Sequence, residues 1–190
     1  MCSSDLWQRD MSRYQAQLDY SLLGRRRSQS SEGRIGALAL MPERFVDHKG
    51  KDLTVVFAQA GGEATLPNGE QVSLQAGAQD RLSIILNLSA LVASHPQAFS
   101  PGHRLTQQAV GAGGVTVWTW THRGIEELTL PGGTLTAQRW VREARESGDQ
   151  GLEVWISQTL GYLPARIRIT KSNGDQIDQQ WHRHQALANP

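Results

Sequence analysis

Asp80-Arg81-Leu82-Ser83 places a carboxylate, a guanidinium and a hydroxyl within four positions. A serine nucleophile needs a base and an orienting carboxylate, so with a histidine such as His122 folded against it this segment would make a hydrolytic centre. Each member also has a structural use. Asp80 stands where a helix N-cap belongs, and Ser83 sits one turn in, where serine commonly bonds the backbone. No Gly-x-Ser-x-Gly elbow occurs in the chain. A hydrolase with its site near this helix start is therefore the alternative expectation, not the leading one. Arg81 is free to pair with a carboxylate such as Glu153, or to hold an anionic group at the mouth of the fold.

Val117-Trp118-Thr119-Trp120-Thr121-His122 offers a different chemistry. Alternation puts Trp118, Trp120 and His122 on one strand face, as an aromatic wall for an apolar or sugar-like ligand with His122 as its polar contact. The plainer reading makes them core. Trp155 falls opposite Val154 and Ile156, on a face that is either covered or open to a partner. His182 and His184 share a strand face, but no third ligand stands at matching spacing, so no metal is expected. Cys2 has no partner for a disulfide. Gly61-Gly62 and Gly111-Ala112-Gly113-Gly114 lack the Lys-Ser/Thr ending of a phosphate loop and read as turns. No cofactor is expected.

The elements that must position these residues are mostly strands. Alternation predicts Tyr14 to Leu23, Arg25 to Ile35, Leu38 to Asp47, Leu53 to Gln59, Ala64 to Leu66, Gln71 to Leu74, Arg104 to Val110, Val115 to Thr121, Glu126 to Leu130, Thr134 to Arg142, Leu152 to Ser157, Ala165 to Thr170 and Asp175 to His182. The last two meet at Ser172-Asn173-Gly174. A two-residue turn on Asn-Gly would oppose Ile169 to Asp178, mixing core with solvent. A three-residue loop with Gly174 left-handed instead pairs Ile169 with Ile177 and Arg168 with Asp178. Leu66-Pro67-Asn68-Gly69 repeats the device, and Leu130 to Gly133 marks another reversal.

One segment departs from the meander. Asp80 to Ala93 carries no glycine or proline and ends just before His95-Pro96, so it predicts a helix. At roughly 100° per residue, Leu82, Ile84, Ile85, Leu86, Leu88, Leu91, Val92 and Ala93 spread over about 220° of the wheel. Ser83, Asn87 and Ala90 hold the opposite stripe. So wide an apolar arc needs a concave partner. The fold class expected is mainly β: a curved antiparallel meander forming a partly closed barrel or β-spiral around one central helix.

Nineteen basic and eighteen acidic side chains leave a net charge of +1, interleaved along 190 residues. Neither nucleic acid nor an anionic surface is an expected partner. Arg25-Arg26-Arg27 reads as edge or surface charge. No apolar run approaches the roughly 18 residues that cross a bilayer. Cys2 to Leu6 matches the translated end of a sequencing adapter, so residues 1–6 are read as foreign, 7–185 as one β-rich domain lacking its first strands and its signal peptide, and 186–190 as a tail. An unpaired edge near Tyr14 would follow.

From Gly77-Ala78-Gln79-Asp80-Arg81-Leu82-Ser83, through Leu152 to Ile156 and Leu160 to Thr170, to Asn173-Gly174-Asp175 and Asp178-Gln179-Gln180, the chain resembles an uncharacterised exported bacterial family, domain of unknown function 3108. Ser31 to Ile35 and Pro42 to Phe45 extend the likeness more loosely. The resemblance implies a periplasmic or envelope address and a β-rich wrapped fold akin in outline to lipoprotein carriers. It brings no catalytic residues. The expectation that follows is a non-enzymatic cell-envelope protein that binds an apolar ligand, a lipid among the options, or serves as a scaffold for envelope partners. Asp80, Arg81, Trp118, Trp120 and His122 are its candidate ligand-binding residues.

Overall fold

The structure is a computed structural model that describes residues 4–9, 12–22, 25–144 and 149–182. It is mainly β, with one α-helix. The chain divides into two compact units, Met1–Leu88 with Thr106–Trp118, and Ser89–Leu105 with Thr119–Pro190.

The first sheet is an antiparallel meander of β1 (Ser4–Arg9), β2 (Arg13–Leu22), β3 (Arg25–Ile35), β4 (Leu40–His48), β5 (Asp52–Ala58), β6 (Glu63–Thr65) and β7 (Gln71–Ser73), paired in chain order. β2 is paired on both sides, by β1 and β3, so no open edge lies at Tyr14. β3 is interior from Ser28 to Ile35, whereas Arg25 to Arg27 pair with β2 alone among the described residues, beyond the end of β4, and so stand at an edge, as expected of them. Alternate residues of these strands close a core of Leu18, Phe45, Val55, Phe57, Ala64 and Leu66, joined by Leu82 and Val110. At the register shift between Glu32 and Gly33, where Glu43 is the extra residue of a bulge in β4, the backbones come very close. A Cβ on Gly33 would sit 2.2 Å from the Met41 carbonyl oxygen, so only glycine fits there.

The second sheet runs β14 (Gln176–Gln180), β13 (Leu163–Thr170), β12 (Gly151–Ser157), β11 (Gly133–Arg142), β10 (Gly114–Leu130), β9 (Arg104–Gly111) and β8 (Gln79–Asp80), and curls strongly into a half-barrel. Two features differ from the alternation reading. Val115 to Thr121 and Glu126 to Leu130 are one strand, β10, bent by a bulge between His122 and Ile125 where Gly124 takes φ +106°. β8 pairs with β9 in parallel, Gln79 opposite Ala109, and the helix α1 (Ser83–Ser94) lies in the connection between them. A parallel pair cannot be closed by a hairpin, and the helix is the crossover it needs.

The β13–β14 hairpin has the register that the three-residue loop requires. Ile169 faces Ile177 and Arg168 faces Asp178, with Gly174 at φ +85°.

The buried set of helix α1 differs from its apolar arc, with Leu86 and Leu91 only half-buried. Ile84, Leu88 and Val92 have no accessible surface, and Leu82 and Ile85 are buried. Ser83 and Asn87, expected on the open stripe, are buried too, whereas Ala90 and Ala93 are exposed. The polar pair goes inside because it is bonded: Asn87 Oδ1 accepts the Leu40 N–H at 2.9 Å, and Ser83 belongs to the helix cap. The alanines lose least by facing water.

Candidate functional site

The helix start is built by four side chains of the first unit. Asp80 Oδ1 accepts the backbone N–H groups of Leu82 at 2.8 Å and Ser83 at 2.7 Å, and Ser83 Oγ accepts the Asp80 N–H at 2.9 Å. This is a reciprocal capping box. Asp80 Oδ2 accepts the Ser31 hydroxyl at 2.5 Å, and since that proton is spent, the Tyr14 hydroxyl donates to Ser31 Oγ, 3.0 Å away. All four groups are buried. Burial pushes the Asp80 carboxyl above its ordinary range, against the opposing bonds from Ser31, Ser83 and Leu82. Burial, then the Asp80 charge, pushes the Tyr14 phenol up as well. The arrangement ties β2 and β3 to the helix and presents no free nucleophile.

Arg81 lies flat on Gly111: a Cβ there would meet Arg81 Nε at 2.5 Å. That buried Nε has no hydrogen-bond partner. Glu153, the carboxylate proposed for Arg81, is held by Arg139 Nε at 2.9 Å and by Arg168 at 3.4 Å.

Trp118, Trp120 and His122 do share one face of β10, and all are buried, at 7%, 0% and 2% exposure. The boundary between the two units falls after Trp118, so Asp80, Arg81 and Trp118 belong to the first unit and Trp120 and His122 to the second. Trp118 donates its indole N–H to Thr116 Oγ1 at 3.0 Å. His122 stacks on Trp140 with centroids 4.9 Å apart, and Phe99 meets Trp140 edge-on at 5.3 Å. Neither ring nitrogen of His122 has a hydrogen-bond partner, so it is linked to no serine or carboxylate.

The ionisable groups that do converge are on the second unit, around Trp155, where the sequence reading had the Arg168–Asp178 pair but not the network that joins them to the ring. Trp155 is 2% exposed and packs with Leu128, Leu130, Leu135, Ala137 and Ala165. The guanidinium carbons of Arg139, Arg166 and Arg168 stand 5.5, 5.0 and 5.2 Å from its ring centroid. Its face of the sheet is thus covered, by charge on one side and leucine on the other. Burial alone would raise the Glu126 and Asp178 carboxyls, but the Trp155 and Arg139 donors hold the first below its ordinary range, and Arg166 and Gln180 do the same for the second. Alternation of Arg166 and Arg168 with Ile167 and Ile169 was the signal available in the sequence.

Two clefts open on this unit. One, of about 650 Å³, is lined by charges that are already matched, among them Arg123 with Glu143 and Arg142 with Asp149. The other, of about 230 Å³, holds no charged side chain and is lined in part by Gln138, Gln158 and Tyr162. None of Asp80, Arg81, Trp118, Trp120 and His122 lines either cleft. Among the described residues no group of three His, Cys, Asp or Glu side chains is placed to hold a metal ion; His182 is exposed, and His184 lies outside the described residues. Among the described residues no helix is long and apolar enough to cross a membrane.

Comparison with family models, with curated proteins and with solved structures finds no match to this chain.

Proposed function

We propose that this chain is a non-enzymatic protein of the cell envelope that acts as a scaffold for envelope partners. The state of Asp80 carries the non-enzymatic part. Both of its oxygens are engaged by cap and serine donors, and the one histidine that shares the aromatic face has no hydrogen-bonded partner to activate. A relay needs its members within hydrogen-bond reach of one another. The envelope address rests on the resemblance of Leu160 to Thr170 and Gly77 to Ser83 to exported proteins.

Scaffold is preferred to carrier of an apolar ligand because of the helix. A cavity roomy enough for a lipid chain leaves accessible surface on its walls, and Ile84, Leu88 and Val92 have none.

Native mass spectrometry of protein purified from the periplasm tests both parts. The expected species is the bare chain, with a melting temperature unmoved by fatty acids or phospholipids. Co-purifying lipid converts the reading to a carrier. Turnover of an ester, amide or glycoside that disappears in His122→Ala and in Asp80→Asn overturns the non-enzymatic reading.

A further inference from the structure

Two of the asparagines are followed by glycine, Asn68-Gly69 and Asn173-Gly174, and the loops that hold them are built alike. The Gly69 N–H bonds the Leu66 carbonyl and the Gly174 N–H bonds the Lys171 carbonyl, each at 2.9 Å, with the glycines at φ +87° and +85°. In both loops the asparagine Oδ1 accepts the backbone N–H two residues on, at 3.0 Å from Glu70 and 3.1 Å from Asp175. In both, Nδ2 donates to the carboxylate of that same residue, at 3.3 Å for Glu70 and 2.9 Å for Asp175. Both asparagines are exposed, and nothing lies within 4 Å of where a Cβ would stand on either glycine.

Each loop carries the parts of a ring closure. A glycine nitrogen has no side chain to shield it, and the asparagine Cγ beside it is an electrophile. The N–H already bonded to Oδ1 stands where negative charge develops when Cγ is attacked. Once hydroxide takes the glycine amide proton, the nitrogen bonds to Cγ, and the Cγ–Nδ2 bond then breaks. Nδ2 leaves as ammonia with a proton from water, which restores the hydroxide. Water next opens the succinimide at one of its two carbonyls, giving aspartate or isoaspartate. One water is consumed and one ammonia released.

What the two loops do not share is freedom to open. The attacking N–H is engaged in both, so reaction waits on local opening and its rate follows the open population. At Asn68, Pro67 pre-sets the backbone and narrows the states an opened loop can reach. Leu66 is buried in the core of the first sheet, with Val72 and Leu74 packed against it. Beyond β7, the Gln108 side chain donates to the Ser73 carbonyl and accepts the Gln75 N–H. At Asn173, Ser172 holds the place of that proline, and β14 is the outermost strand of its sheet among the described residues. The bond that ties it to Gly132 is made at Trp181, the end away from the loop.

We propose that Asn173 is a self-modification site, converting spontaneously through a succinimide to aspartate and isoaspartate in the folded protein, while the like-built loop at Asn68 is held closed. The product loses the amide that donates to Asp175 and sets two carboxylates side by side. Isoaspartate also adds a main-chain carbon to a loop whose length fixes the Ile169–Ile177 register, so the change loosens the edge hairpin. The inference stands independently of the envelope address.

The test ages the whole chain in mildly alkaline buffer below its melting temperature and follows both asparagines by peptide mass spectrometry, with isoaspartate counted by enzymatic methyl labelling. Asn173 should convert faster than Asn68 in the folded chain, and the two rates should draw together in urea, where neither loop persists. Ser172→Pro copies the Asn68 loop and should slow Asn173 by about two- to fivefold in the folded chain, the effect of one well-placed proline, with little change in urea. Asn173→Gln should abolish the isoaspartate signal at that position and leave Asn68 as it was. The proposal is overturned if Asn173 stays intact in the folded chain while it reacts in urea, if Asn68 reacts as fast as Asn173 in the folded chain, or if Ser172→Pro leaves the folded rate unchanged.

Discussion

Trp155 donates its indole N–H to the Glu126 carboxylate at 2.9 Å, and the same carboxylate accepts Arg139 at 3.0 Å. A buried ring is thereby wired to the ion pairs that cover it. Trp155→Ala should cost about 3–5 kcal/mol, from lost burial and the cavity left behind. Trp155→Phe keeps most of the ring but leaves Glu126 one donor short, so it should cost clearly less. Urea denaturation of the two variants separates packing from wiring.

Glu126 and Asp178 give that network a pH signature. Their folded pKa values lie below the ordinary carboxylate range. Each therefore contributes stability that is present above the ordinary value and is lost as pH falls through the folded one. Asp178→Asn should flatten that acid limb in melting curves taken across the acidic range.

Asp80 predicts the opposite sign. Its folded pKa is raised, chiefly by burial, so the folded state holds the proton more tightly than the unfolded chain. Its contribution falls as pH rises from the ordinary carboxylate value through the folded one. Asp80→Asn should remove that slope, and Asp80→Ala should cost about 2–4 kcal/mol by deleting the cap and stranding Ser31.

Two glycines should respond differently to alanine. At Gly33 a new Cβ would meet the Met41 carbonyl oxygen at 2.2 Å, backbone against backbone, and the two strands must part. A loss of about 3 kcal/mol or more is expected. At Gly174 the space is open and only φ +85° opposes the side chain, so about 1–2 kcal/mol should be lost. Thermal melts of the pair give the ranking.

Asn87→Leu swaps a buried amide for a residue of similar size. The Leu40 N–H loses its acceptor at 2.9 Å, and about 1–3 kcal/mol should follow. Hydrogen exchange at Leu40 should rise more than at its neighbours on β4.

What could be read along the chain was whatever local geometry decides. Alternation and one glycine determined that Ile169 opposes Ile177, because a one-residue slip would have turned every isoleucine to water. Asp80 and Ser83, three apart, already spelled a helix start. The apolar arc from Leu82 to Val92 required enclosure.

What only the tertiary structure decided was partnership between distant segments. Arg168 stands opposite Asp178 in register, yet it is Arg166 that grips Asp178, at 2.8 Å, while Arg168 turns to Glu153. Sheet twist favours such diagonal pairs, and pattern alone does not show which diagonal wins. The parallel strand at Gln79–Asp80 is too short to leave a period, and Asn87 looks like a solvent residue until Leu40 arrives. Tyr162 and Gln138 are 24 positions apart by their numbering and carry no shared spacing. Only the folded chain brings both to the wall of one cleft, because the partners of a buried polar group are chosen by the packing of whole elements.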